Sequence, residues 1–393
     1  MNSDSPEWVQ SVTTPAFVFD ERRMLEIVDV MDDLRRETDI RVLCAVKAMT
    51  NGDVIRRLAP LVDGFTVASL FDSMLVREIT GSTGFISIGT PGFNESNIDQ
   101  IGDLCNNVVL NSLSQWERYR TRLQGGQARR TSIGLRINPG FSNVADRRYD
   151  PSRLHTKLGV HVADLEDALV EKPNLLDGLE GILFHTNCDA KNFSPIFATV
   201  EMLAERLDTV LKNIRWINLG GGYLFTDKSD LSPLKEAARL LHTRYGLDVF
   251  IEPGAAFVRE SGYLVAEVTD LIPTNGPSVA VLDTTVNHAP EVFEYQYVPD
   301  VLGSEDGGRY NYILAGSTCL AGDLFGEYSF PTPLELGSRI VLPNMGAYTT
   351  VKAHTINGIN LPSLYQITQD GEIHLRRTFN YDDYRSRIDP GRH

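Results

Sequence analysis

The chain has 393 residues, of which 42% are apolar, and it carries a formal net charge of −15. These values are typical of a globular protein with a large core. They disfavour nucleic acids and anionic membranes as partners, because the sequence has no basic cluster larger than short pairs such as Arg129-Arg130. A neutral or cationic metabolite is the favoured partner.

The cysteines and the N-terminus indicate a cytoplasmic protein. The four cysteines are widely spaced, with no CxxC pair and no metal-ligand spacing, so we expect neither a disulfide framework nor a bound metal. The N-terminal sequence MNSDSPEWVQ is polar and acidic, and no apolar run approaches the roughly 18 residues of a membrane span.

In chain order, short apolar runs alternate with amphipathic segments through eight rounds. The runs are Arg41–Lys47, Gly64–Ser69, Phe85–Gly89, Val108–Asn111, Ser132–Asn138, Gly181–Asn187, Trp216–Gly222 and Asp248–Gly254. The amphipathic segments are Glu21–Glu37, Asp53–Leu61, Phe71–Ile79, Glu95–Leu104, Gln115–Leu123, Val162–Glu171, Ile196–Asn213 and Leu231–Tyr245. This alternation predicts the α/β class and a (β/α)8 TIM barrel over about residues 20–262.

After residue 262 the pattern changes to β-type runs separated by Gly, Pro and Asp turns, such as YLVAEVTDLI, SVAVLDTTV, YNYILAG and SRIVLPN. These runs predict a second, mainly β domain over residues 263–393. The early segment PAFVFD is also typical of a strand. We predict that it pairs with the C-terminal sheet, which would add residues 1–19 to the second domain.

Several apolar runs end in residues that can do chemistry, and a barrel of parallel strands builds its active site at those ends. Lys47 would lie in the barrel mouth, where a depressed pKa suits an amine that forms imines, although a lone strand-end lysine is more often structural. The glycines Gly220, Gly221 and Gly222 allow backbone N–H groups to approach a phosphate, or form a plain tight turn.

Two further strand-end residues sharpen the interpretation. A carboxylate such as Glu252 would keep a pyridine nitrogen protonated, and His185 could lie flat against an aromatic cofactor. Either residue alone is more often a hydrogen-bonded polar group at a strand end. Together with Lys47 and the glycine loop, they describe a site for pyridoxal 5'-phosphate.

The chain resembles the fold-type III pyridoxal-phosphate decarboxylases, the group of ornithine, diaminopimelate and arginine decarboxylases that shares its barrel with alanine racemase. Within that group it is most similar to the carboxynorspermidine decarboxylases. The similarity lies in CAVKA, VLNSLSQWER, FHTNC, WINLGGGY, GYLVAEV, LDTTVNHAPEV, GSTCLAGDLFGEYSF, YTTVKAHTINGINLPSLY and NYDDYRSR, in this order. It spans nearly the whole chain.

The resemblance implies roles for individual residues. Lys47 matches the lysine that forms the Schiff base, His185 the ring-stacking histidine, Glu252 the pyridinium partner, and Gly220 to Gly222 the phosphate loop. Tyr348 matches a tyrosine near the phosphate. Cys319 matches a cysteine that relatives supply from the neighbouring subunit, and Asp323 the aspartate four residues on. The resemblance therefore implies a homodimer with composite sites. It also implies that Lys47, His185 and Cys319 are catalytic, and that Cys319 or Lys47 returns a proton after carbon dioxide leaves.

Departures from the family narrow the substrate. Ornithine and diaminopimelate decarboxylases carry an acidic residue where this chain has Leu320, and a phosphate-binding arginine where it has Ala255. Carboxynorspermidine decarboxylases share the leucine but typically carry Glu at Ala255 and His at Ala347. We hypothesise a carboxynorspermidine or carboxyspermidine decarboxylase of polyamine biosynthesis, with substrate amines bound by Asp189, Asp323 and His288.

Other interpretations remain open. A related decarboxylase of secondary metabolism could act on another carboxy-aminopropyl or diamino acid, since function depends on the site rather than the fold. A non-catalytic binding protein is disfavoured because Lys47 and Cys319 are both present. An alanine racemase is disfavoured because its ring nitrogen faces an arginine. The polar segment 139–159 is a solvated loop or, less favoured, a lid over the barrel mouth.

Overall fold

The structure, a computed structural model, describes residues 6–125, 131–144, 146–389 and 391. The described chain forms two compact units. One, the barrel unit, is Ile27–Ala256; the other, the β unit, contains the residues up to Glu26 and those from Phe257 onward. The predicted domain boundaries at residues 20 and 262 stay a prediction.

The strands and helices follow one another in the order that the sequence periodicity predicts. The strands are β1 (Ala16–Asp20), β2 (Arg41–Ala45), β3 (Gly64–Val67), β4 (Ile86–Gly89), β5 (Asn107–Leu110), β6 (Ser132–Asn138), β7 (Val160–His161), β8 (Gly181–Leu183), β9 (Trp216–Asn218), β10 (Asp248–Ile251), β11 (Gly262–Ile272), β12 (Ser278–Leu282), β13 (Tyr310–Ala315), β14 (Leu324–Phe330), β15 (Arg339–Leu342), β16 (Ser363–Ile367) and β17 (Ile373–Arg377). The helices are α1 (Glu21–Thr38), α2 (Gly52–Leu58), α3 (Leu70–Thr80), α4 (Ile98–Leu104), α5 (Leu113–Gln124), α6 (Val162–Glu171), α7 (Ser194–Arg206), α8 (Asp208–Leu211), α9 (Ser232–Leu240), α10 (Ala255–Val258), α11 (Pro290–Tyr295) and α12 (Tyr381–Ile388).

The barrel unit is a closed ring of parallel strands, as predicted. The ring runs β2-β3-β4-β5-β6-β8-β9-β10 and closes where β10 pairs with β2, while β7 pairs with β6 outside the ring. Trp216 helps to fill its interior, because a Cβ at Gly134 or Gly181 would lie 2.4 Å or 2.0 Å from the indole. Parallel closure brings all eight carboxyl ends to one mouth, which positions the candidate site.

The β unit is an eight-stranded mixed sheet in the order β14-β13-β12-β11-β1-β16-β17, with β15 also paired to β11. The prediction that PAFVFD joins this sheet is confirmed: β1 pairs antiparallel with β11 and parallel with β16. Apolar side chains of β11 to β14 form its main core, including Leu264, Leu282, Leu314, Phe325 and Phe330.

Some elements differ from the prediction. Helices α11 and α12 lie in the region predicted to be mainly β, and each begins with a local helix signal. Pro290 is the first residue of α11, and Asn380 forms a capping box with Asp383 at the start of α12. In the described part of 139–159 there are turns only, with neither helix nor strand. No helix in the described residues combines the length and apolarity needed to cross a membrane.

Candidate active site

Lys47 lies at the carboxyl end of β2, where the strand stops at Ala45 and a 3-10 turn, Val46–Ala48, follows. Its side chain lines the depression at the barrel mouth, where it is accessible to solvent but has protein atoms around it. Desolvation by those atoms lowers the pKa of Lys47, the charge of Glu252 opposes this effect, and the charge of Arg136 adds to it. A lysine with a lowered pKa offers more neutral amine at neutral pH, as covalent amine chemistry requires.

The side chain of Lys47 faces a polar depression, which we call the barrel-mouth site. Every ring strand except β9 contributes to its lining, either from its carboxyl-terminal part or from the residues that directly follow. The lining residues are Lys47, Thr66, Val67, Ala68, Gly89, Thr90, Val109, Asn111, Arg136, Leu183, His185 and Glu252. The structure thus brings together three of the predicted residues, Lys47, His185 and Glu252.

Arg136 is the main residue of this site that the sequence reasoning missed. It extends from β6, and burial lowers its pKa to about 10, opposed by the charge of Glu252. The guanidinium therefore stays cationic at neutral pH and gives the site a permanent positive charge. A charged residue inside the otherwise apolar run SIGLRIN was the signal that could have identified it.

His185 is held as a neutral ring. Its Nδ1 accepts a hydrogen bond from the backbone N–H of Gly221 at 3.2 Å, so the ring proton belongs on Nε2. Burial lowers the pKa of His185 well below its usual value, and the charges of Lys47 and Arg136 lower it further. A neutral ring of fixed orientation suits stacking against an aromatic ligand.

The glycine loop that follows β9 can be built only from glycine. A Cβ at Gly220, Gly221 or Gly222 would lie 2.3, 2.1 or 2.0 Å from a backbone oxygen, and Gly220 and Gly222 have φ of 72° and 85°. The N–H of Gly220 donates to Asn218 Oδ1 at 2.9 Å, and that of Gly221 to His185. Of the three N–H groups predicted to bind phosphate, only that of Gly222 is left for this task.

Glu252 directly follows β10, and a neighbouring strand orients its carboxylate. Asn218, the last residue of β9, donates its amide N–H to Glu252 Oε1 at 2.8 Å. The same amide side chain accepts the N–H of Gly220 through its oxygen. Asn218 therefore links the predicted pyridinium partner to the glycine loop, and sequence reasoning missed it.

Asp189, a predicted substrate residue, lies on an exposed loop that follows β8. Its φ is 51°, in the left-handed region that aspartate tolerates better than most residues. The next residue, Ala190, holds this conformation, because its N–H donates to Gly222 O and its oxygen accepts the N–H of Leu224, both at 2.9 Å. The loop carrying Asp189 is thereby fixed to the glycine loop.

The other predicted site residues belong to the β unit. Cys319 is exposed on the loop between β13 and β14, and Tyr348 lies on a turn after β15 with φ of 56°. The ammonium of Lys352 lies 5.6 Å from the centre of the Tyr348 ring and forms an ion pair with Glu291 at 3.2 Å. Lys352 therefore links the ring of Tyr348 to Glu291 within the β unit.

Two predicted substrate residues are buried in the β unit. Asp323 is only 2% exposed, and its carboxylate is already surrounded by hydrogen-bond donors of the β unit. His288 is fully buried, and Thr284 Oγ1 lies 2.9 Å from its Nδ1. Burial argues against direct contact with substrate, and the substrate roles of Asp323 and His288 stay predictions.

Comparisons with known proteins agree with this geometry. The model of the family "pyridoxal-dependent decarboxylase, pyridoxal binding domain" matches residues 22–264. The chain is 32% identical to the carboxyaminopropylagmatine decarboxylase of Synechocystis sp., over 97% of this chain and 96% of that protein. It is 30% identical to a carboxynorspermidine/carboxyspermidine decarboxylase of Herminiimonas arsenicoxydans, over 96% and 100% respectively.

A solved structure is also similar along the whole chain. The crystal structure of carboxynorspermidine decarboxylase from Campylobacter jejuni, complexed with norspermidine, superposes with a TM-score of 0.85 at 28% identity. The match covers 96% of this chain and 100% of that one.

Proposed function

Because the chain belongs to the pyridoxal-dependent decarboxylase family, we propose that it binds pyridoxal 5'-phosphate and decarboxylates a carboxylated polyamine. The observation that carries this proposal is the convergence of Lys47, His185, Arg136 and Glu252 on one depression at the barrel mouth. These groups have the amine, the flat neutral ring and the charges that a phosphorylated pyridine aldehyde requires.

The residues present fit this cofactor. The glycine loop packs closely against neighbouring backbone oxygens, which a Cβ would prevent, and the N–H of Gly222 would donate to the phosphate. Lys47 would hold the cofactor covalently, His185 would lie against the ring, and Glu252 would face the ring nitrogen. Tyr348, from the β unit, is proposed to contact the phosphate.

When bound, pyridoxal phosphate supplies an electron-accepting ring that stabilises the negative charge left by loss of carbon dioxide. The chain's own residues would hold and transfer the protons that this reaction needs. Glu252, oriented by Asn218, would hold a proton at the ring nitrogen. Burial lowers the pKa of Lys47, which makes its amine a better proton donor. Cys319 or Lys47 would then return a proton to the carbon that carried the carboxylate.

Cys319 is proposed to act in the site of a second copy of this chain. The support is a set of exposed apolar side chains around the Cys319 loop, Phe293, Val298, Leu320 and Leu324, with exposures of 56%, 60%, 44% and 46%. Phe293 lies close to Gly322, and Val298 lies close to Gly326. Exposed apolar surface of this kind is typical of subunit interfaces, and a two-fold dimer would cover it twice.

Mixing two inactive variants tests the composite dimer. If Lys47 and Cys319 of one site come from different chains, a Lys47→Ala/Cys319→Ala heterodimer has one intact site. Random mixing of the two variants then restores about a quarter of wild-type activity. Activity that stays at the level of the separate variants, in a mixture shown to have exchanged subunits, would place both residues on one chain.

The proposed substrates are carboxynorspermidine and carboxyspermidine, the compounds that appear in the names of two relatives. Their amines are cationic, and the exposed carboxylate of Asp189, on the loop that follows β8, would bind one of them. A second candidate is carboxyaminopropylagmatine, because a decarboxylase of this compound is 32% identical to the chain. Its far end is a guanidinium rather than an ammonium group.

Carbon dioxide release from purified protein with pyridoxal phosphate separates these possibilities. We expect turnover of carboxynorspermidine or carboxyspermidine, with diaminopimelate and ornithine inactive. Turnover of carboxyaminopropylagmatine alone would favour the second candidate. If the cofactor binds and none of the three carboxylated polyamines reacts, the substrate proposal fails while the cofactor proposal stands.

A further inference from the structure

The loop that carries Cys319 closes on itself. We call residues 316–323, between β13 and β14, the Cys319 loop. The N–H of Gly316 at its start donates to the backbone oxygen of Asp323 at its end, at 2.8 Å. The N–H of Asp323 in turn donates to the oxygen of Leu320 at 3.0 Å. The ends of the loop are therefore tied, and Asp323 takes part in both bonds.

The carboxylate of Asp323 fastens this loop to a neighbouring segment. Oδ1 accepts the hydroxyl of Thr285 at 2.9 Å and the N–H of Val286 at 2.7 Å. Oδ2 accepts the N–H of Thr318 at 3.1 Å and its hydroxyl at 2.6 Å. Thr318 directly precedes Cys319. One buried charge thus joins the residue beside the thiol to the segment after β12.

A second contact holds the thiol itself. Cys319 Sγ donates to Asn357 Oδ1 at 3.4 Å, within the longer range of sulfur hydrogen bonds. Asn357 has φ of 53°, a left-handed conformation that asparagine tolerates. Its amide oxygen accepts the S–H hydrogen, so the contact orients the thiol.

We propose that Asp323 is a positioning residue for the Cys319 thiol, with Asn357 as its partner on the sulfur side. The inference rests on the proposed role of Cys319 as a proton donor. A proton donor must reach its target carbon at hydrogen-bond distance, and an exposed loop alone does not fix a thiol so closely. Four donors on one buried carboxylate fix the loop, and the amide fixes the S–H direction.

Kinetics of Asp323→Asn distinguish positioning from substrate binding. The amide nitrogen cannot accept the Thr318 bonds, so we expect kcat to fall, by up to about 100-fold, with KM for the substrate nearly unchanged. Thr318→Val removes one bond of the same set and should lower kcat less, and it serves if Asp323→Asn does not fold. The matched control is Asp283→Asn, a carboxyl of the same unit that accepts the N–H of Glu267 at 2.8 Å.

Alkylation of Cys319 by iodoacetamide gives a readout that does not depend on activity. In Asp323→Asn the rate at Cys319 should rise several-fold relative to Cys188, the exposed thiol of the barrel unit, in the same sample. Asn357→Gly should do the same without backbone strain, since glycine adopts positive φ freely. Asp39→Gly, at φ of 55°, is the matched glycine control. Asn357→Asp keeps an acceptor and adds a negative charge that disfavours the thiolate, so its alkylation rate should not rise above that of wild type.

The outcomes separate the two levels of the proposal. A raised KM with unchanged kcat in Asp323→Asn, or an unchanged alkylation rate in Asp323→Asn and Thr318→Val, overturns the positioning role. If Cys319→Ala keeps full kcat, the proton-donor role of Cys319 fails instead, and the alkylation rates still decide whether Asp323 holds the loop.

Discussion

The two units build their parts of the proposed site by different means. In the barrel unit, Lys47, Arg136, His185 and Glu252 come from four different strands, and the barrel's hydrogen-bond register sets their mutual positions. In the β unit, Cys319 lies on one exposed loop between adjacent strands, and a buried carboxylate beneath it sets its position. Strand register is a property of the whole barrel, whereas the loop is held by its own backbone bonds and by the side chains of Asp323 and Asn357.

Charges also act on buried groups in both units. In the barrel mouth, burial lowers the pKa values of Lys47 and His185, and the charge of Arg136 lowers both further. In the β unit, burial lowers the pKa of His288, the charge of Asp323 opposes this effect, and that of His354 adds to it. A change at Arg136 should therefore alter the pKa values of both Lys47 and His185, whereas a change at Asp323 should alter that of His288.

The largest expected effect is at Lys47. Lys47→Ala should lower kcat by more than about 1,000-fold, because Lys47 is the one lysine among the described lining residues of the barrel-mouth site and so the one amine there to hold the cofactor covalently. Lys47→Arg is the matched variant, since it keeps the positive charge but cannot form an imine, and it should be equally inactive. Borohydride reduction with peptide mapping should find the cofactor on Lys47 in wild type. A cofactor mapped to another lysine would contradict the assignment.

Glu252→Gln should have the next largest effect, a fall in kcat of about 100-fold, because the amide cannot hold a proton at the ring nitrogen. The side-chain oxygen that accepts from Asn218 remains, so the fold should be preserved. Stopped-flow kinetics together with cofactor titration would measure the effect. A kcat near that of wild type would show that Glu252 is only a structural partner of Asn218.

His288 predicts a pH dependence of stability in the β unit. Burial lowers its pKa from 6.5 to about 4, partly opposed by Asp323 and assisted by His354. Between these values the unfolded chain binds a proton that the folded chain does not, so stability falls as pH falls from 6.5 to 4. The full loss is about 3 kcal/mol.

Urea unfolding at pH 7, 5.5 and 4.5 measures this dependence. His288→Gln, which does not titrate, should lose less stability than wild type over this range. His374→Gln, at a histidine whose side chain is 48% exposed, should behave like wild type. If the free energy of unfolding changes with pH equally in His288→Gln and wild type, His288 does not contribute to the pH dependence.

The smallest expected effect is at Asp189. Asp189→Asn should raise KM for the polyamine substrate about threefold without changing kcat, since an exposed ion pair contributes at most about 1 kcal/mol. Asp39→Asn is the matched control, because Asp39 is also exposed and has nearly the same φ, 55° against 51°. An unchanged KM would remove Asp189 from the substrate site.

Much of the fold could be predicted from the sequence because the periodicity of apolar side chains in a strand or helix extends over only a few neighbouring residues. The apolar runs and amphipathic segments correspond to β2–β6, β8–β10 and their helices, and PAFVFD joins the second sheet as predicted. The strand-end residues Lys47, His185 and Glu252 could be identified because each follows an apolar run. Arg136 and Asn218 were missed because each belongs to a strand, Arg136 within β6 and Asn218 at the end of β9, and their partners come from other strands.

The β unit shows the limit of the same reasoning. The motif GSTCLAGD identified Cys319, and the spacing within it drew attention to Asp323, but it predicted substrate contact for a carboxylate that is 2% exposed. Nothing local indicates that Thr285 and Val286, more than 30 residues earlier, supply half of its hydrogen bonds.

The sequence by itself determined the order of strands and helices, the barrel, and the residue types at the strand ends, because these depend on side-chain periodicity over a few residues. Only the tertiary structure decided which polar groups lie close together, which are buried, and in which direction their pKa values shift. Hydrogen bonding, desolvation and charge interactions act over a few ångströms in space, and closing the barrel and pairing β12 with β13 bring residues from distant parts of the chain within that range.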